Sequence, residues 1–138
     1  MAKIETIALG NLRTEVLHTQ SGTKIQTDAP TDNNGKGEFF SPTDLVATAL
    51  GSCMMTIMDM YAKEQGMDLT GTRLVTEKVM QSEPRRIGEI KIDIYFKGEF
   101  TDKQKTILKR VADTCPVGKS LHPDLKQTIT FHFGESGE

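Results

Sequence analysis

Strand-like and helix-like segments follow one another in blocks along this chain of 138 residues, the order of a mixed helix-and-strand domain. Three observations point there. Short runs of Ile, Leu, Val and Thr open the chain, a long apolar stretch with a marked start follows from Ser41, and a strictly alternating segment ends at Phe96. Periods of two and of three to four residues are the signatures of strands and of helices.

Taken in order, residues 2–10, 12–19 and 23–27 read as a small antiparallel meander, with Gln20-Ser21-Gly22 as a turn. Residues 28–37 are a loop, rich in Asp, Asn, Pro and Gly. Ser41 is a helix N-cap, Pro42 suits the first helical position, and Asp44 stands where its carboxylate reaches back to the cap's amide. Val46, Ala49, Leu50, Cys53, Ile57 and Met60 recur at helical steps until Gln65-Gly66 stops the helix. Its opposite side is hardly more polar, so this helix is expected to be central and covered on most sides. Gly51 costs up to about 1 kcal/mol of helix propensity, which predicts a close approach of another backbone beside Cys53.

Residues 72–81 and 87–96 read as a hairpin, the second strand setting Ile90, Ile92, Ile94 and Phe96 against Glu89, Lys91, Asp93 and Tyr95. Thr101 and Gln104 form a capping box that opens a second helix. There Ile107, Val111 and Cys115 share a face, and Pro116 cannot continue the helix, which places Cys115 at its C-terminus. Residues 126–133 close the chain as a strand, with Ile129, Phe131 and Phe133 on one face and Thr128, Thr130 and His132 on the other.

A chain of 15.3 kDa is read as one domain over residues 1–138, able to bury about two-thirds of its unfolded surface without a metal or a disulfide framework. Seventeen Lys and Arg against nineteen Asp and Glu leave −2, and no basic run calls for nucleic acid or an anionic membrane. No segment has signal-peptide character or about 18 uninterrupted apolar residues. A cytoplasmic protein is expected, with its thiols reduced unless chemistry oxidises them.

The two cysteines, Cys53 and Cys115, lie 62 positions apart. That is too few for a disulfide scaffold and too far for a CxxC motif, but folding can bring them together as one redox pair. Taken singly, a buried cysteine is more often a small hydrophobe than a nucleophile. The seven methionines read as flexible core filling. His18, His122 and His132 have no metal-ligand spacing, and neither metal nor cofactor is expected. Ser52 lacks a GxSxG elbow, Gly35-Lys36-Gly37 makes no phosphate cradle, and Arg85-Arg86 at a hairpin tip is ordinarily a solvated turn.

From Phe40 through Met58 the chain carries Ser-Pro-Thr-Asp-Leu and then Ala-Leu-Gly-Ser-Cys-Met, and residues 114–120 read Thr-Cys-Pro-Val-Gly-Lys-Ser. In these stretches it resembles the OsmC/Ohr family, named for osmotically induced and organic-hydroperoxide-resistance proteins, and the general OsmC-like branch more than the Ohr branch. The resemblance spans the chain in element order. It implies an α+β fold in which the helix carrying Cys53 packs against curved antiparallel sheets, and an intertwined homodimer with active sites at the subunit interface.

It also implies a thiol-dependent peroxidase acting on organic hydroperoxides in oxidative-stress defence. Cys53 would be the peroxidatic residue and Cys115 the resolving one, passing through a Cys53 sulfenic acid to a Cys53–Cys115 disulfide that a small dithiol or lipoyl-type reductant resets. A free thiol is only a few per cent ionised at neutral pH, so Cys53 needs help. In the family an arginine from the N-terminal strands, held by a glutamate two positions after the Ser/Asn of the helix-start motif, supplies it. The arginine matched here is Arg13, the only one before Cys53, with Arg85 and Arg86 as alternatives. The glutamate position holds Thr43, and the neighbouring Asp44 is the nearest acid. Two other functions remain open on the same fold: a thiol-disulfide redox sensor, and a binding protein for a small apolar ligand.

Overall fold

The computed structural model describes residues 3–134 and divides into two compact units, Met1–Val46 and Ala47–Glu138. In the first, β1 (Ile4–Gly10), β2 (Arg13–His18) and β3 (Thr23–Asp28) form an antiparallel sheet in the order β1-β2-β3, the expected meander. Asn11 and Leu12, both at positive φ, make the two-residue turn between β1 and β2, a backbone twist that suits hairpin strands. Asp28, assigned to the loop from sequence, is instead the last residue of β3 and pairs with Arg13 across the sheet. Every residue of β1 is exposed.

Helix α1 (Pro42–Glu64) starts in this unit. The Ser41 amide donates to Asp44 Oδ2 at 2.9 Å and the Asp44 amide to Ser41 Oγ at 3.1 Å, the reciprocal cap expected from the sequence. At the other end Gly66 at positive φ lets the Met67 amide reach the Ala62 carbonyl, a Schellman stop.

The second unit holds the rest of α1, then β4 (Arg73–Gln81), β5 (Arg86–Phe96), α2 (Asp102–Ala112), α3 (Pro116–Ser120) and β6 (Lys126–Phe133). Its sheet has the order β4-β5-β6. β4 and β5 form the expected hairpin, but β6 runs parallel to β5, so this sheet is mixed where antiparallel pairing was expected. A parallel neighbour requires a crossover, and α2 and α3 provide it. The central strand supplies the core: Ile90, Ile92, Ile94 and Phe96 are buried with Leu50, Met54 and Met58 of α1 and Leu108 and Ala112 of α2. Phe100, Phe131 and Phe133 close around Phe96 by ring contacts.

Three expectations need correction. The stripe that α1 buries is Ala47, Leu50, Gly51, Met54, Met58 and Ala62, displaced from the anticipated one, and Met60 is 62% exposed. In an almost uniformly apolar helix, periodicity cannot locate the face that tertiary contacts choose. A Cβ at Gly51 would meet Thr76 Oγ1 at 3.2 Å, Leu74 Cδ2 at 3.6 Å and Ile92 Cδ1 at 3.7 Å, so side chains of β4 and β5, not another backbone, crowd this position. Pro116 does not end α2; it opens α3 at its first position, and Cys115 is the N-cap of α3 rather than a helix C-terminus. By length and composition α1 would be able to cross a membrane, but here Leu50, Met58 and Ala62 of that helix are fully buried in a protein core.

Candidate active site

Helix α1 delivers Cys53 half-buried, while the corner between α2 and α3 delivers Cys115 at 1% exposure. Both are free thiols. Leu108, Ala112 and Cys115 continue one buried face, in place of the expected Ile107, Val111 and Cys115. The sulfur of Cys115 lies beside Cys53, and its pKa is pushed up by burial and then by that neighbour. It also lies 4.0 Å from the Leu50 carbonyl oxygen and accepts the Gly118 amide at 3.5 Å. The amides of Gly118 and Val117 pull the other way, stabilising charge on the sulfur, but burial dominates. The pair thus combines a half-buried cysteine with a buried neighbour that holds its proton.

Arg13 has a different and equally specific environment. Its Nε donates to Asp28 Oδ1 at 2.7 Å, and its Nη2 to Asp28 Oδ2 at 3.0 Å and to Glu38 Oε1 at 2.5 Å. The guanidinium carbon stands 4.7 Å from the centroid of the Phe39 ring. Asp28, only 2% exposed, also accepts the Glu38 amide at 3.0 Å. The Arg13 hydrogen bond holds the Asp28 carboxyl below its ordinary range against the opposing effect of burial. The two acids, Asp28 first, hold the arginine's proton more tightly than usual.

Thr43 lies with its hydroxyl 3.2 Å from Ser41 Oγ, and the Asp44 carboxylate receives the Ser41 amide. Arg86 reaches Asp124 at 3.8 Å. The structure therefore brings together Cys53 with Cys115, and Arg13 with two carboxylates that the sequence reading missed. The signal for Asp28 lay in the hairpin register, which sets Arg13 and Asp28 opposite each other once Gln20-Ser21-Gly22 is placed as the turn. Nothing comparable marked Glu38. Among the described residues no three His, Cys, Asp or Glu side chains cluster as a metal would require.

Comparison with known proteins identifies the family and the fold. The sequence pattern of the OsmC-like protein family matches residues 35–130. A crystal structure from Psychrobacter arcticus, provisionally described as an osmotic-stress-induced and detoxification response protein, is 48% identical, with 96% of each chain covered and a TM-score of 0.92. At 14% identity the chain superposes with a TM-score of 0.77 on an organic hydroperoxide resistance protein OsmC of Legionella pneumophila, over 96% of both chains. The organic hydroperoxide resistance protein OhrB of Bacillus subtilis gives 15% identity and a TM-score of 0.67, with 95% of this chain and 97% of that one covered. These two likenesses are likenesses of fold. No curated protein matches the chain in sequence. On the match over residues 35–130 and the 48% identity across nearly its whole length, the chain belongs to the OsmC-like protein family.

Proposed function

We propose that this protein is a thiol-dependent peroxidase that reduces organic hydroperoxides in oxidative-stress defence. The observation that carries the reading is the contact between half-buried Cys53 and buried, proton-retaining Cys115. The Cys53 thiolate attacks the outer peroxide oxygen, the O–O bond breaks, and an alkoxide leaves to be protonated as an alcohol. Cys53 becomes a sulfenic acid. The Cys115 sulfur then attacks it, water is expelled, and a Cys53–Cys115 disulfide remains for a dithiol to reduce. Apolar neighbours such as Met54, Met55 and Ile57 favour an alkyl tail over hydrogen peroxide. In this reading Arg13 stabilises the thiolate and the departing oxygen, and Asp28 and Glu38 take over the role of the acid that Thr43 does not supply. The chain acts as a cytoplasmic homodimer. Ile4, Ile7, Leu9, Leu12 and Ile25 of the N-terminal sheet are exposed and supply an apolar surface for a second copy.

The test is mass spectrometry after one equivalent of an organic hydroperoxide. Loss of two hydrogens per chain, with a cross-linked peptide joining Cys53 to Cys115, is the expected result. Recovery of both cysteines as free thiols would remove the mechanism.

A further inference from the structure

We infer that the dithiol reductant enters through a cavity separate from the Cys53 approach and attacks the sulfur of Cys115, not that of Cys53. This rests on the proposed disulfide cycle and adds to it the site and the direction of the reductive half-reaction.

A cavity of about 260 Å3 has Met54, Asp113, Cys115, Gly118, Lys119 and Gln127 in its wall. Apart from Met54 these come from the α2–α3 corner, α3 and β6, whereas Cys53 approaches Cys115 from α1. The Gln127 side chain donates to the Gly118 carbonyl at 3.0 Å and so frames one side of the opening. A second cavity of about 310 Å3, with Ile129, Phe131 and the stem of Lys109 in its wall, shares Met54, Ala112 and Asp113 with the first. The result is a polar recess at the sulfur with an apolar trough beside it.

Size and depth select the visitor. The recess is below the range of drug-sized ligand sites, and a sulfur at 1% exposure is out of reach of a folded protein's redox loop. Chemistry selects the sulfur attacked. A reductant thiolate that bonds to Cys115 breaks the disulfide and expels Cys53 with the electron pair, whereas attack on Cys53 would leave the new charge on buried Cys115. The peroxidatic thiolate is thereby restored in the first step. The mixed disulfide on Cys115 is then resolved by the second thiol of the same molecule. That thiol attacks its partner's sulfur and passes its proton to Cys115, and the reductant leaves as a cyclic disulfide. Two electrons have moved from dithiol to protein. A monothiol would need a second molecule to enter a recess already occupied, while Cys53 stood ready to reverse the exchange.

Preparing the disulfide with diamide separates this inference from the peroxidase reading, because reduction can then be followed whether or not the protein reacts with hydroperoxide. Stopped-flow reduction by dithiothreitol is compared with single-turnover oxidation by cumene hydroperoxide. Gln127→Trp, which adds bulk at the opening, is expected to slow reduction about tenfold relative to oxidation, as restricted access should. Lys119→Glu is a second probe, independent of bulk: it is expected to slow anionic dimercaptosuccinate about threefold or more relative to neutral dithiothreitol. Reduction unchanged in Gln127→Trp, or both half-reactions falling together, would overturn the assignment. So would an unaltered ratio of the two dithiols in Lys119→Glu.

Discussion

Oxidation of the cysteine pair should stabilise the protein measurably, and the size of the effect follows from where the two sulfurs lie. Cys53 and Cys115 are neighbours in the fold but 62 positions apart in sequence. Closing a loop of that length removes about 14 cal/mol/K of chain entropy from the unfolded ensemble, or about 4 kcal/mol at 25 °C. Against this stands the loss of the contact between the two thiols, at most about the 1 kcal/mol of an ordinary hydrogen bond, leaving roughly 3 kcal/mol. Unfolding entropy near 2.1 cal/mol/K per residue makes each kcal/mol worth about 3.5 °C for a chain of this length. The oxidised protein should therefore melt about 10 °C above the reduced one. The assay is a circular-dichroism melt of diamide-oxidised and reduced samples at equal protein concentration, since association also shifts the midpoint. Cys115→Ser serves as the control that must show no such shift. An oxidised protein that melts at or below the reduced one would refute the reasoning, because it would mean the bond strains the α2–α3 corner by as much as loop closure contributes.

Four further outcomes can be measured. Cys53→Ser should abolish single-turnover consumption of an organic hydroperoxide, whereas Cys115→Ser should consume about one equivalent and stop at an oxidised Cys53; equal amplitudes would contradict the assigned roles. The Cys115 pKa is raised in the fold, so its contribution to stability is complete below the unfolded thiol's value, about 8.5, and is lost as pH rises through the folded one. The reduced wild type should accordingly lose more of its melting temperature above about pH 8.5 than Cys115→Ala does; parallel pH profiles would show that the thiol is not held back. Gly51→Ala should fall within about 1 kcal/mol of wild type, since the gain in helix propensity offsets the 3.2 Å approach to Thr76 Oγ1, whereas Gly51→Leu should cost about 1–3 kcal/mol by overpacking; chemical denaturation that ranks them the other way would exclude this account of the glycine. Thr43→Glu should leave the rate with organic hydroperoxide unchanged or lower, because Arg13 already carries two carboxylates; a faster variant would show that it needs a third.

Much of the fold was legible because its signals are local. The Ser41–Asp44 and Thr101–Gln104 caps, the Gly66 stop and the alternation in β5 each depend on a few adjacent residues, and each appears where the sequence places it. What was not legible depends on contacts distant in sequence. The direction of β6 against β5 is not encoded in either strand's alternation, which is the same for parallel and antiparallel neighbours. The buried face of α1 is chosen by the strands behind it, and its own composition offers no polar side to exclude the alternatives. Pro116 was misplaced for a third reason: proline both ends a helix and begins one, and only the three residues left between Ala112 and Pro116 decide between the two.

The cysteine pair and, separately, the Arg13 cluster show the same division. The cysteines stand in recognisable motifs, but their contact is a product of folding, and so are the partners of Arg13. The expected acid position at the start of α1 holds Thr43, and that helix start is occupied by its own cap, with Ser41 and Asp44 bonded to each other. Asp28 and Glu38 bind the guanidinium from β3 and from the loop after it. This source of charge is stiffer than a helix terminus. Asp28 is fixed by strand register, is nearly without solvent contact, and is bonded to the Glu38 amide as well as to Arg13. A bidentate pair held in this way restricts the guanidinium to one plane, and Phe39 packs against its face. An arginine positioned from its own sheet does not draw on the residue at the helix start, and in the mechanism proposed above Thr43 has no carboxylate role left to fill. In the proposed mechanism the same clamp has a chemical consequence: two carboxylates lower the net positive charge that Arg13 would offer a thiolate, so its contribution there would come from directed N–H donors more than from long-range attraction.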